Sequence, residues 1–141
     1  MTNRETLTKP AILAIASTLA LASCSTAPAQ QARNPRATDE LAKALAGRVP
    51  GKPERCIYND SSVETQVVDD WTILFRDGRT LYVQNPPGGC SGLGNRSRTL
   101  VTRPFGSQMC EGDINHLVDL GHGMGGPTCV FGPFIPYRKP G

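Results

Sequence analysis

Residues 71–84, WTILFRDGRTLYVQ, are two runs of β-branched, aromatic and aliphatic residues on either side of Asp77-Gly78. Asp-Gly tolerates positive φ at both central positions of a type I′ turn, so the stretch predicts a tight hairpin. A two-residue loop at Asp77-Gly78 pairs Arg76 with Arg79, Phe75 with Thr80, Leu74 with Leu81, Ile73 with Tyr82 and Thr72 with Val83. One face of the ribbon then carries Trp71, Ile73, Phe75 and Tyr82, and the other carries Leu74, Leu81 and Val83. Neither face suits water, so the hairpin belongs at the centre of a sandwich or small barrel, with only the turn and its two arginines wet.

Weaker strand signals surround it at residues 56–58, 63–68, 99–103, 115–120 and 129–131. Asn85-Pro86-Pro87-Gly88-Gly89 and residues 121–127 separate them with strong breakers. Short strands between Gly and Pro turns, with little helix, predict an all-β domain.

The N-terminal segment sets the compartment. Arg4 and Lys9 precede an uncharged apolar run of twelve residues, 11–22, followed by Ser23 and Cys24. A permanent span needs about 20 apolar residues, so this is the outline of an export signal. Leu21-Ala22-Ser23-Cys24 resembles the bacterial lipoprotein lipobox. The resemblance implies that the Cys24 thiol takes a diacylglyceryl group, that cleavage makes Cys24 the new N-terminus, and that its amine is acylated. Two or three chains hold a protein stably at about 0.8 kcal/mol per buried CH₂. By the same likeness, Ser25 after the cysteine implies the outer membrane, facing the periplasm.

With Cys24 assigned to lipid, Cys56, Cys90, Cys110 and Cys129 remain, an even number in an oxidising compartment. Two disulfides are expected, and four cysteines allow three connectivities. Zinc is disfavoured because the cysteines stand singly at wide spacings. Removing residues 1–23 takes away Arg4, Lys9 and Glu5, leaving 13 basic and 11 acidic residues. That balance argues against nucleic acid as a partner. The 118 residues that remain hold one small domain, of the size that benefits from disulfides.

The expected organisation is a signal peptide over 1–23, a lipidated N-terminus and flexible tether over 24–37, a short helix over 38–47 and a β-rich domain over 48–141. The tether is Ala, Gln, Pro, Arg, Ser and Thr without periodicity. In the helix, Thr38 is placed to cap, Asp39 and Glu40 sit in the first turn, Leu41 and Leu45 share a face, and Gly47 follows the end. The fold class is thus a small disulfide-braced sandwich or barrel-like all-β domain with a short N-terminal helix.

Several stretches resemble a family of small envelope proteins of sphingomonad-like proteobacteria, defined as a domain of unknown function. They are Gly47-Arg48, Gly51-Lys52-Pro53, Cys56-Ile57, Val68-Asp69-Asp70, Thr72-Ile73, Leu81-Tyr82-Val83, Ser107-Gln108-Met109-Cys110 and Phe131-Gly132-Pro133-Phe134-Ile135-Pro136-Tyr137. The likeness covers residues 47–139. It implies export, frequent lipidation and a compact β-rich domain with Cys56 paired to Cys110 and Cys90 to Cys129. It implies no catalytic residue.

The sharpest chemical pattern is Asp113, His116, Asp119 and His122, each three residues from the next. A metal site needs imidazole and carboxylate to converge. A strand instead sends Ile114, His116, Val118 and Leu120 to one face and Asp113, Asn115 and Asp119 to the other. Residues 88–96 have the glycine content of a phosphate-cradling loop but follow two prolines and precede a β-prone run, outside the context that motif requires. Gly89-Cys90-Ser91-Gly92 is one residue short of a nucleophile elbow. Asp60, Glu64, Asp69, Asp70, Glu111 and Asp113 are the carboxylates that could serve glycoside hydrolysis, and the adjacent Asp69 and Asp70 point to opposite sides of an extended chain. Arg96, Arg98 and Arg103 form a modest basic patch.

The expectation is a lipid-anchored periplasmic binding or structural module without a cofactor. Its partners are the membrane, through the lipid, and an envelope protein, peptidoglycan or lipopolysaccharide. A metal- or ligand-binding module using residues 113–122 is the alternative, and an envelope hydrolase the third reading.

Overall fold

The computed structural model describes residues 33–104 and 106–141, so Cys24 and the export signal lie outside the described residues. Among the described residues the fold is all-β with one short helix, as expected. In chain order it comprises α1 (Pro35–Leu45), β1 (Val49–Pro50), β2 (Cys56–Tyr58), β3 (Glu64–Asp69), β4 (Thr72–Asp77), β5 (Thr80–Gln84), β6 (Arg98–Thr102), β7 (Gln108–Cys110), β8 (Ile114–Asp119), β9 (Gly125–Val130) and β10 (Phe134–Arg138). A five-stranded antiparallel sheet, β1-β10-β5-β4-β3, forms the middle layer. A three-stranded sheet, β6-β8-β9, and the β2-β7 pair contribute to the core on one of its faces.

The predicted hairpin is β4-β5, and it is central. Its register differs from expectation: Asp77 pairs with Thr80, Arg76 with Leu81, Phe75 with Tyr82, Leu74 with Val83 and Ile73 with Gln84. The two loop residues are therefore Gly78 and Arg79. Within the turn Gly78 alone has positive φ, at 52°, and among the described residues no non-glycine residue does. A type I′ turn on Asp77-Gly78 would force Asp77 into the left-handed region, whereas a turn with glycine first leaves only Gly78 there. This shift moves each partner by two, an even step, so no side chain changes face.

The two faces build two cores. Ile73, Phe75 and Tyr82 join Ile57, Met109, Leu117, Phe131 and Phe134 on one side. There Phe75, Phe131 and Phe134 meet edge-to-face with centroids 5.5–5.8 Å apart, each contact worth about 1 kcal/mol beyond its buried area. Leu74, Leu81 and Val83 pack on the other side with Leu41, Ala44 and Leu45 of α1. The helix is thus the cover for the second apolar face.

The helix starts three residues earlier than expected. Asn34, not Thr38, is the cap: its side chain accepts the Arg36 N–H at 3.0 Å, and Pro35 occupies the first helical position. Proline fits there because its missing N–H would have no partner and its φ is already helical. The last residues assigned to the tether consequently belong to the domain. Ala37 is buried, and Arg33 pairs with Asp69 at 2.9 Å and donates to Thr72 Oγ1 at 2.6 Å.

Strands β1, β7 and β10 are additional to those read from sequence. In β10 the Pro136 carbonyl accepts the Gly51 N–H at 2.7 Å, on the side away from β5. The missing N–H of Pro136 faces that same outer side, so the ladder to β5 stays whole. The disulfides are Cys56–Cys110 and Cys90–Cys129. Cys56 and Cys110 are direct partners across β2-β7, with Cα atoms 4.0 Å apart. Cys90 and Cys129 are buried in the main core and tie residues 88–96 to β9.

Candidate functional site

Asp69 ends β3 and Asp70 begins the tight turn to β4, and their carboxylates take different partners. Asp69 takes Arg33 on the helix side and also accepts the Trp71 N–H at 2.8 Å. Asp70 points the other way, into the loop of residues 88–96. Its Oδ2 accepts the Gly92 N–H at 2.9 Å and its Oδ1 accepts the Gly94 N–H at 2.6 Å, while its carbonyl accepts the Cys90 N–H at 2.6 Å. The glycine-rich loop does cradle an anion with its amides, and that anion is the chain's own Asp70. This is why the phosphate-loop pattern appears without the strand and helix that a nucleotide site requires.

Holding the loop against the β3-β4 turn leaves a groove of about 760 Å³ between it and the start of α1. Arg33, just before α1, and Arg36 in its first turn line it on one side, Arg96 and Arg98 from the loop and β6 on the other, and Trp71 from the turn. Its three carboxylates are already engaged: Asp69 by Arg33, Asp70 by the two amides, and Glu40 by the Gln66 Nε2 at 2.6 Å. Arg98 reaches only the Ser91 carbonyl, at 3.5 Å. Among the described residues, Arg36, Arg96 and Arg98 have no carboxylate within ion-pair distance. The groove therefore presents guanidinium groups whose fork of donors suits a phosphate or carboxylate.

The basic patch read from sequence is thus revised. Arg96 and Arg98 line the groove, Arg103 does not, and Arg33 and Arg36 are the members that sequence reasoning missed. Some 60 residues of chain separate the two pairs, and only the docking of α1 beside the β3-β4 turn joins them.

The residues of the 113–122 segment go to different places. Asp113 accepts the Cys110 N–H at 2.7 Å and closes the turn before β8. Asp119 closes the opposite end, accepting the N–H groups of Gly121 at 2.8 Å and His122 at 3.1 Å, with the His122 ring 3.3 Å away. Those amides, and after them the His122 ring, hold its carboxyl below the ordinary carboxylate range. Six extended residues separate Asp113 from Asp119, about 20 Å. His116 is exposed on the outer face between Val101 and Thr128, while Asn115 and Leu117 point inward, the alternation expected of a strand. Among the described residues no three His, Cys, Asp or Glu side chains converge on a point where a metal could sit.

The other carboxylates weighed for hydrolysis also have local partners. Glu64 lies 3.7 Å from Arg76, Glu111 lies 3.6 Å from Arg55, and Asp60 accepts the Ser62 N–H at 2.8 Å. Compared with known proteins, the chain matches no family model, no curated protein and no solved structure.

Proposed function

We propose that this protein is a lipid-anchored binding module of the cell envelope, tethered through Cys24 and presenting the arginine-lined groove to an anionic partner. The observation that carries the reading is the position of the groove. Arg33 and Arg36, which line it, stand where the chain enters the domain, only nine and twelve residues after Cys24. The export signal and the lipobox resemblance supply the anchor, and a domain so tethered works on what lies near a membrane surface. A binding role also suits a molecule in which, among the described residues, no three carboxylate, histidine or cysteine side chains gather at one point.

Crosslinking in living cells tests it, with the anchored protein compared with a Cys24→Ala secreted form. A specific envelope component, captured by the anchored form and lost on the Arg36→Gln/Arg96→Gln double variant, supports the module and its groove together. Capture that ignores both changes, or an intact mass showing an unmodified Cys24, removes the proposal.

A further inference from the structure

We infer that the groove is a phosphate site for the headgroups of anionic phospholipids in the leaflet that holds the anchor. The inference rests on the anchored reading above and names the ligand of its groove. Nine residues of fully extended chain reach about 30 Å, so a lipidated Cys24 confines Arg33 and the groove mouth to within that distance of the bilayer. The abundant anion at that distance is the lipid phosphate, a planar-fork match for guanidinium.

The groove is built for this in two respects. Arg96 ends, and Arg98 at the start of β6 follows, a loop fixed three times over: by the Cys90–Cys129 disulfide, by the Asp70 carboxylate on Gly92 and Gly94, and by the Cys90 amide on the Asp70 carbonyl. Their guanidinium groups therefore lose little freedom when an anion arrives. Trp71, half-buried and on the groove wall, supplies the amphipathic ring that favours a membrane–water boundary. It is the chain's one tryptophan, so its emission reports this wall and nothing else.

The test uses the whole chain from residue 24 carrying Cys24→Ala, so that no acyl chain contributes. Binding is read by co-sedimentation and Trp71 emission with phosphatidylcholine vesicles, with and without phosphatidylglycerol. Binding that requires phosphatidylglycerol, shifts Trp71 emission and falls about thirtyfold in Arg36→Gln/Arg96→Gln is expected, about fivefold for each arginine held against the anionic surface. Arg79→Gln/Arg103→Gln removes the same charge outside the groove and should cost less than about threefold.

Asp70→Asn separates a built groove from a diffuse basic surface. It raises the net charge, so simple surface attraction would strengthen, whereas loosening the loop weakens a fitted site several-fold. Equal losses in the two double variants, tighter binding by Asp70→Asn, or displacement of the protein by millimolar inorganic phosphate overturns the lipid-headgroup assignment. An unmodified Cys24 in the native protein overturns the anchor, and with it the lipid as source, while the vesicle outcomes judge the groove alone.

Discussion

Asp70 Oδ1 accepts the backbone N–H of Gly94 at 2.6 Å, across 24 residues of chain, and so makes the β3-β4 turn the template for the loop that follows β5. Charge-assisted hydrogen bonds of this kind contribute about 1.5–3 kcal/mol when shielded, and the lower end applies at this half-exposed position. Asp70→Ala should therefore cost about 2 kcal/mol in chemical denaturation and speed amide exchange at Gly92 and Gly94. Unchanged exchange at those amides would show that the disulfide alone holds the loop.

Gln84 is fully buried, and its side-chain amide acts as a strand partner: Nε2 donates to the Gly132 carbonyl at 2.8 Å and Oε1 accepts the Gly132 N–H at 2.9 Å. Gln84→Leu keeps the volume and leaves both backbone groups unpaired, at about 1–3 kcal/mol each. A loss of about 3–5 kcal/mol is expected from urea unfolding; a loss below about 1 kcal/mol would mean that Gly132 has another partner.

The two disulfides should reduce in a set order. Each closes a long loop, 54 and 39 residues in sequence separation, and each contributes about 4 kcal/mol in the chain-entropy treatment. Cys90 and Cys129 are buried, whereas Cys56 and Cys110 are half-buried, and exchange requires access to sulfur. Timed reduction and alkylation followed by mass spectrometry should label Cys56 and Cys110 first. The reverse order would contradict the burial of the Cys90–Cys129 bridge.

Two glycines separate backbone strain from crowding. Gly78 has φ 52° and open space around it, so Gly78→Ala carries only the left-handed cost of about 1–2 kcal/mol. Gly89 has φ 67°, and a Cβ there would lie 3.0 Å from the Trp71 ring and 3.2 Å from the Asp70 carbonyl. Gly89→Ala should be the more damaging by thermal melt and should move Trp71 fluorescence; equal effects would show that the ring yields.

Acid should open the β8-β9 turn. The Asp119 carboxyl is held below its ordinary value by the Gly121 and His122 amides, so its contribution is complete above the unfolded pKa of about 3.9 and is lost as pH falls through the lower folded value. Carboxyl NMR should find the Asp119 midpoint below that of unpaired aspartates, with Gly121 exchange accelerating over the same range. In Asp119→Asn that acceleration should be absent.

The parts legible in the sequence were those decided by local period and covalent chemistry. The alternation of residues 71–84 placed Ile73, Phe75 and Tyr82 on one face and Leu74, Leu81 and Val83 on the other; β8 alternates as read, but the face it buries is that of Asn115 and Leu117, and Ile114 and Leu120 of the more apolar face are exposed. A strand has period two, so faces can be read even when the turn is misplaced by one residue, as it was at Gly78-Arg79. Strand β10 was hidden by its prolines, because whether Pro136 is tolerated depends on which side of the strand lacks a donor.

From the sequence by itself came the all-β class, the central two-faced hairpin, and four cysteines available for pairing after Cys24. Tertiary structure alone decided what covers each face, that α1 begins at Pro35, and that Arg33 and Arg36 meet Arg96 and Arg98 across one groove. The reason is one of range. Periodicity and turn chemistry act over a few residues, whereas the groove depends on a carboxylate at Asp70 finding amides 22 and 24 residues away, a match that exists only once the sheet has formed.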